Sequence, residues 1–392
     1  MQTVMILGAG IYQTPLIQTA KRMGLRTIVS SIPGDYPGFS LADRVYYENT
    51  TDKEAILKIA KKENIDAILT SGTDVAVTSI GYVNDELSLN GIDWETAQKT
   101  ADKAVMKQAL QAGGARTAEF ECVYTLAEAI EASERIGYPV ILKCVDKSGS
   151  RGIVRADCKA DVESAYNYAK AASNAPHIVV EKYLKGKELG LDGYIDGDNI
   201  LLVPHQKIVF YNGATDVPLG HAFPYYCDEM LRQDILTQAR NAIYALGLQK
   251  CFFNMDIMVC GSEAYIIEVG ARTGATCIPE LMSIYCGWNL YEHMLKLALG
   301  ESLPSPIIEG TPCMAQLLIS ERDGILCDWN ESAAHCPGVV SLTVDYPRGA
   351  HVRRFHVGPD RLGHIIVKGQ KPEQKLKTAL EALALHIEPD IK

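Results

Sequence analysis

The chain has 392 residues, 47% of them hydrophobic, and a formal net charge of −10, which is enough apolar material for two or three packed units. Acidic and basic residues are interspersed along it, which excludes the basic stripe of a nucleic-acid binder. No uninterrupted apolar run approaches the ~18 residues of a membrane span, and the opening apolar stretch breaks at Gly8, too early for a signal-peptide core, so a cytoplasmic protein with no membrane partner is expected.

Residues 4–7 read as a short β-run, followed by Gly8-Ala9-Gly10, a helical stretch to about Met23 and a second β-run at Thr27-Ile28-Val29. A polar helix over 52–63 then leads into Ala67-Ile68-Leu69-Thr70 and the turn Ser71-Gly72-Thr73-Asp74. This alternation predicts a parallel sheet in a small doubly wound, Rossmann-like domain over residues 1–95. Gly8-x-Gly10 invites a dinucleotide reading, but Gln13 stands where the third glycine belongs and Asp35 follows Pro33-Gly34 instead of ending a strand. A tight turn is the better account of it.

From about Asp102 the pattern changes. Helices over 102–112 and 125–136 flank a strand at 139–143, and further strands are expected at 177–181, 189–195, 200–210, 251–259 and 264–269. Strands in runs point to an α+β unit with antiparallel sheet. Leu303-Pro304-Ser305-Pro306 is the clearest linker, and an α+β segment follows it. The eleven cysteines are scattered with no C-x-x-C pair, as expected of reduced thiols rather than a zinc or redox site.

Three segments carry chemistry. The first joins Lys143, at the end of an apolar strand, to Ser148-Gly149-Ser150-Arg151-Gly152. Small residues let backbone N–H groups converge on phosphate oxygens while Lys143 and Arg151 supply positive charge, although the loop is not a Walker sequence. The second runs from Glu181-Lys182-Tyr183-Leu184 to Glu188, where a strand breaks before the next begins. Such a hinge offers backbone donors and acceptors to an adenine edge, Tyr183 and Leu184 to its ring and Glu188 to ribose hydroxyls.

The third is the sharpest. A hairpin centred on Ser262, with a turn at Gly261-Ser262-Glu263, places Asp256 opposite Glu268 on one sheet face. Two facing carboxylates at ~4 Å repel by about 4 kcal/mol at an effective dielectric near 20, so one takes a proton or a cation sits between them. An all-oxygen pair suits Mg²⁺, with substrate phosphates completing its octahedron. Arg272, four residues on, can stabilise charge on a transferring phosphoryl group.

In this order, lysine, small-residue loop, hinge, two acids and arginine, the chain resembles the ATP-grasp superfamily over nearly its whole length. The similarity is to the branch with biotin carboxylase, the carbamoyl-phosphate synthase large subunit and L-amino-acid ligases. It implies a Rossmann-like domain over 1–95, an ATP-grasp domain over 96–305 with a mobile lid at about 124–185, and a C-terminal α+β domain over 306–392. ATP and Mg²⁺ are the implied cofactors. Lys103, beside Asp102 and ahead of Met106-Lys107, and Lys143 would be the nucleotide lysines. Ser148, Gly149, Ser150 and Gly152 would cover the phosphates, Glu181 to Leu184 form the adenine hinge and Glu188 bind ribose. Asp256 and Glu268 would hold metal, and Arg272, with Lys143, would be catalytic. The family run Glu-x-Asn-x-Arg has Gly270 in place of asparagine here, which shifts the second Mg²⁺ onto Glu268, phosphate and water.

The implied reaction is ATP-dependent ligation of a small carboxylate to an amine through an acyl phosphate. A bicarbonate-activating carboxylase or carbamoyl-phosphate-type enzyme is the near alternative, and a non-catalytic nucleotide-binding module the distant one. A homodimer is expected from the frequency of that symmetry. His205, His221 and His293 lack a base-and-orienter arrangement, Tyr225-Tyr226 reads as core, and Arg348, Arg353 and Arg354 read as solvated charge.

Overall fold

The computed structural model describes residues 1–147, 151–211 and 216–389. The chain divides into two compact units. The first comprises Met1–Val203, Cys227–Ala275 and Tyr291–Ser305, and the second Pro204–Tyr226, Thr276–Leu290 and Pro306–Lys392.

The first unit opens with β1 (Thr3–Leu7), α1 (Thr14–Arg22), β2 (Arg26–Ser30), β3 (Arg44–Tyr46), α2 (Lys53–Glu63), β4 (Ala67–Leu69) and α3 (Val77–Leu87). The strands form an all-parallel sheet in the order β3-β2-β1-β4. Every residue of β1 is buried, as a strand covered on both faces requires. Gln13 explains why the Gly8-x-Gly10 turn is closed: its side-chain oxygen accepts from the Gly10 amide at 3.0 Å. Its amide nitrogen donates to the Ser71 carbonyl. The backbone donor that a pyrophosphate would need is therefore taken.

After α4 (Trp94–Ala101) comes α5 (Lys103–Ala112), whose N-cap is Asp102: the Asp102 carboxylate accepts from the amides of Ala104 at 2.8 Å and Val105 at 3.1 Å, satisfying donors left open at a helix start. Lys103 and Lys107 then lie one turn apart on one helix face.

Next follow β5 (Phe120–Val123), α6 (Leu126–Ile136), β6 (Val140–Cys144), β7 (Ile153–Ala156), α7 (Val162–Ala172) and β8 (Ile178–Lys182). The strands make an antiparallel sheet in the order β5-β8-β6-β7. Ala129, Ala132 and Ile136 of α6 and Val162, Ala165 and Ala169 of α7 bury themselves against Val140, Leu142 and Val180, a core local to this segment.

The first unit is completed by β9 (Lys187–Asp196), the opening residues of β10 (Asn199–Tyr211), α8 (Glu229–Leu246), β12 (Cys251–Cys260), β13 (Glu263–Gly270) and all but the first residue of α10 (Leu290–Ala298). Here the sheet order is β13-β12-β9-β10. Along β12, buried Phe253, Met255, Ile257 and Val259 alternate with half-buried Asn254, Asp256, Met258 and Cys260, so that the last four share a face.

The second unit contains the rest of β10, β11 (Asp216–Phe223), α9 (Ile278–Cys286), β14 (Cys313–Leu318), β15 (Gly324–Asp328), β16 (Val339–Val344), β17 (Ala350–Val352), β18 (Gly363–Lys368), α11 (Pro372–Leu383) and β19 (His386–Pro389). Its sheets run β10-β11-β14-β18-β16 and β17-β15-β19. Leu326, Val352, Ile365, Val367, Leu376 and Leu383 are among its core residues. All eleven cysteines are free, and burial raises the Cys251, Cys286 and Cys313 thiols to about 12, the behaviour of inert buried thiols. Among the described residues no helix is long and apolar enough to cross a membrane.

Candidate active site

Asp256 stands opposite Glu268 in the β12–β13 ladder, but by a different route from the one expected. The turn has two residues, Gly261 and Ser262, and Glu263 already belongs to β13, paired with Cys260. Continued unbroken, that register would set Asp256 against Ile267. A bulge between Asp256 and Ile257 absorbs one residue of β13 and advances the pairing so that Glu268 faces Asp256. A single-residue shift of this kind decides which side chain faces which.

The Lys103 ammonium lies 2.9 Å from a Glu268 carboxylate oxygen and also donates to the Lys147 carbonyl at 2.6 Å. Burial alone would lower its pKa, but Glu268 beside it holds it above its ordinary value. A cation is thus already seated against Glu268. Facing acids on a half-buried sheet face, with an ammonium standing in for a cation on one of them, form a donor set that fits Mg²⁺.

Lys143 is buried, with its ammonium 2.6 Å from one Glu181 oxygen, while the Lys107 ammonium lies 2.7 Å from the other. The expectation for Glu181 concerned its backbone; its side chain turns out to bridge two buried lysines. Burial would raise its carboxyl, yet Lys107 and Lys143 outweigh burial and hold it down to about 2. Burial lowers the Lys107 ammonium to about 8 despite Glu181. The triad carries one excess positive charge in a low-dielectric setting, which favours an anion such as phosphate. Replacing Glu181 with glutamine is expected to cost about 3–5 kcal/mol of stability, the scale for orphaning a buried charge, read by urea denaturation at neutral pH. Because the folded carboxyl is depressed, its contribution is present above its unfolded value of 4.5 and is lost as pH falls towards about 2. The wild-type advantage over Glu181→Gln should shrink over that window.

The hinge differs from expectation in one respect. The amides of Lys182 and Tyr183 are not open: they donate to the carbonyls of Glu119 at 2.8 Å and Pro139 at 3.1 Å. The Lys182 ammonium is also engaged, on the Gly137 carbonyl at 2.6 Å. Tyr183 carries the Arg155 guanidinium 4.3 Å above its ring, Leu184 is half-buried, and Glu188 pairs with Met258 across β9 and β12. Ser148, Gly149 and Ser150 lie outside the described residues. Gly152 has φ +67°, and a Cβ there would fall 2.6 Å from Cys144 Sγ, so its glycine is needed for the turn and for packing.

Arg272 donates to Asp74 at 2.7 Å, to the Thr273 carbonyl at 3.1 Å and to Asn254 Oδ1 at 3.4 Å. Asn254 in turn donates to Asp192 at 2.7 Å. Asp74, Asn254 and Asp192 escaped the sequence reading. Asn254 could have been found from period-two alternation with Asp256 on β12, and Asp192 as a lone acid within an apolar strand. Asp74 gave no signal, since its partner is 198 residues away. Among the weaker candidates, His205 and His221 are buried, with rings 4.9 Å apart, and burial holds His221 well below its ordinary value. Arg348 is spent on Asp328 at 2.8 Å and Glu331 at 3.0 Å.

Residues 102–306, more than half of the chain, match the family described as carbamoyl-phosphate synthase L chain, ATP binding domain. The chain belongs to that family. Residues 316–388 match a second family, L-amino acid ligase C-terminal domain 2. A formate-dependent phosphoribosylglycinamide formyltransferase from Wolinella succinogenes is 24% identical, the alignment covering 96% of this chain and 94% of the relative. Phosphoribosylglycinamide synthetase from Anaerococcus prevotii superposes with a TM-score of 0.83 at 27% identity, covering 99% of this chain and all of that one. L-amino acid ligase from Bacillus licheniformis gives a TM-score of 0.83 at 20% identity, covering 99% of each. This ATP-grasp chain, of mixed α/β multidomain fold, is an ATP-dependent, ADP-forming ligase that makes carbon–nitrogen bonds, of a family for which ATP and Mg²⁺ are the typical cofactors.

Proposed function

We propose that the acid this ligase activates is an amino acid and that its product is a dipeptide or similar small amide. The observation that carries the site assignment is the register that sets Asp256 against Glu268, with Lys103 seated on Glu268. The choice of acid is supported by the match of residues 316–388 to the L-amino acid ligase C-terminal domain. The proposal places a Rossmann-like domain over 1–95, the ATP-grasp domain over 96–305 with its lid at about 124–185, and a C-terminal domain over 306–392.

In this reading a carboxylate oxygen of the amino acid attacks the γ-phosphorus of ATP. The bond from that phosphorus to the bridging oxygen of ADP breaks, and an acyl phosphate results. A neutral amine then attacks the acyl carbon, and inorganic phosphate leaves with the electron pair of the broken C–O bond and takes up the proton that the nitrogen sheds as the amide forms. Mg²⁺, when held by Asp256 and Glu268, screens the repulsion between the incoming carboxylate and the phosphates. Lys103 and Lys143 neutralise phosphate charge, and Arg272 meets the charge that builds on the transferring group. The Lys182 and Tyr183 amides being spent, adenine recognition falls to the Leu184 amide and the hinge carbonyls, with Glu188 on the ribose. The acyl phosphate hydrolyses readily, so the lid must exclude water while it exists.

The test is an ADP-release screen over pairs of amino acids with hydroxylamine as a trap. An amino acid hydroxamate, formed only with ATP and Mg²⁺, is the expected result. ADP release that needs bicarbonate and yields no hydroxamate would replace this reading with the carboxyphosphate one.

A further inference from the structure

The glycine at position 270 needs a physical reason. Its φ is not in the left-handed region that glycine alone favours, so backbone freedom does not explain it. Space does: a Cβ there would lie 3.0 Å from Asp74 Oδ1 and 3.3 Å from Arg272 Cζ. The volume a side chain at 270 would occupy is already filled by the Asp74–Arg272 ion pair.

Asp74 is delivered to that place by a loop that is itself tied down. The Gly72 amide donates to the Thr273 carbonyl at 3.3 Å, and the Thr273 hydroxyl donates to Ser71 Oγ at the same distance. The Ser71 carbonyl holds the Gln13 amide. Both oxygens of Asp74 lie 2.7 Å from the same Arg272 nitrogen. On the opposite side, Asn254 pairs with Gly270 across the ladder and presents its oxygen to Arg272. Its amide nitrogen is fixed by Asp192, whose other oxygen accepts from the Gly274 amide at 2.9 Å. The two terminal nitrogens of the guanidinium are thus committed, whereas its Nε is buried with no hydrogen-bond partner among the described residues.

We propose that Asp74 is the positioning residue for Arg272: reaching in from the loop after β4, it fills the space that Gly270 leaves open and sets the guanidinium so that its Nε edge faces the transferring phosphoryl group. The proposal rests on the assignment of Arg272 to phosphoryl transfer. It makes the loop that follows β4 of the N-terminal parallel sheet a working part of the nucleotide site. Gly270, a departure from the family run, becomes a requirement of that arrangement.

Three variants test it: Asp74→Asn, which keeps shape and removes charge, Gly270→Ala, which presses a methyl group on the pair, and Asp74→Asn combined with Arg272→Lys. A misplacement of ~1 Å costs about 10²-fold in rate. Asp74→Asn should therefore lose on the order of 10²-fold in kcat, with the affinity for a non-hydrolysable ATP analogue, measured by calorimetry, unchanged within about threefold. Gly270→Ala should lose kcat in the same direction, and the double variant should be no slower than Arg272→Lys alone. An independent readout follows the Arg272 Nε–H signal in arginine-labelled protein, assigned by its loss in Arg272→Lys. The signal should be sharp and slow to exchange in wild type and broadened in Asp74→Asn. Unchanged kcat with an unchanged signal, or fully additive losses in the double variant, would overturn the proposal. If wild type turns over no substrate pair, the ligase reading fails on its own, and the Nε–H signal alone decides whether Asp74 positions Arg272.

Discussion

Glu268→Gln is expected to abolish Mg²⁺-dependent ADP formation while leaving the chain folded. The substitution keeps nearly the same shape but removes one of the two charges that face each other across β12 and β13. Two effects add. On the proposed assignment the divalent cation loses an anionic ligand, worth several kcal/mol where it screens phosphate charge. Lys103, buried and 2.9 Å from Glu268, loses its counter-ion there, while its bond to the Lys147 carbonyl remains. ADP release over a Mg²⁺ titration measures the first effect, and the melting temperature in the absence of nucleotide measures the second. Near-normal Mg²⁺-dependent turnover would remove Glu268 from the metal site.

Arg272→Lys should act on rate rather than binding, with kcat falling by about 2–4 kcal/mol of transition-state stabilisation. Charge is kept, so the cause is geometry. A guanidinium reaches Asp74, Asn254 and the Thr273 carbonyl at once and still has Nε to offer, whereas an ammonium is a single point on a flexible stem. Lysine keeps the charge but has no planar fork with which to hold the Asp74, Asn254 and Thr273 contacts together while aiming a donor at a phosphoryl oxygen. Steady-state kinetics separate the outcomes: a change confined to KM would make Arg272 a ground-state binding residue.

The strands around the candidate site and the helices at 102–112 and 125–136 were legible because they follow simple periodicities, whereas β5, β7, α7 and α8 were not anticipated. Burial alternates along β12 with period two, and Asp102 caps α5 as a short acid before a helical run should. The hinge was visible as a break between two strands, but the occupancy of its amides was not, since Glu119 and Pro139 are remote in sequence. The pairing of Asp256 with Glu268 was anticipated from a three-residue turn and is achieved by a two-residue turn plus a bulge, a compensation that leaves no mark in composition.

By itself the sequence determined the main strands and helices around the candidate site, the misfit of Gly8-x-Gly10 to a dinucleotide fingerprint, and the set of charged side chains that can serve a nucleotide. Each depends on neighbours within a few residues, where backbone geometry limits the choices. Only the tertiary structure decided how those charges are matched: Glu181 between Lys107 and Lys143, Lys103 on Glu268, and Asp74 on Arg272. Electrostatic partners are chosen by distance in space, and any acid can answer any base until the packing of the sheets fixes which of them meet.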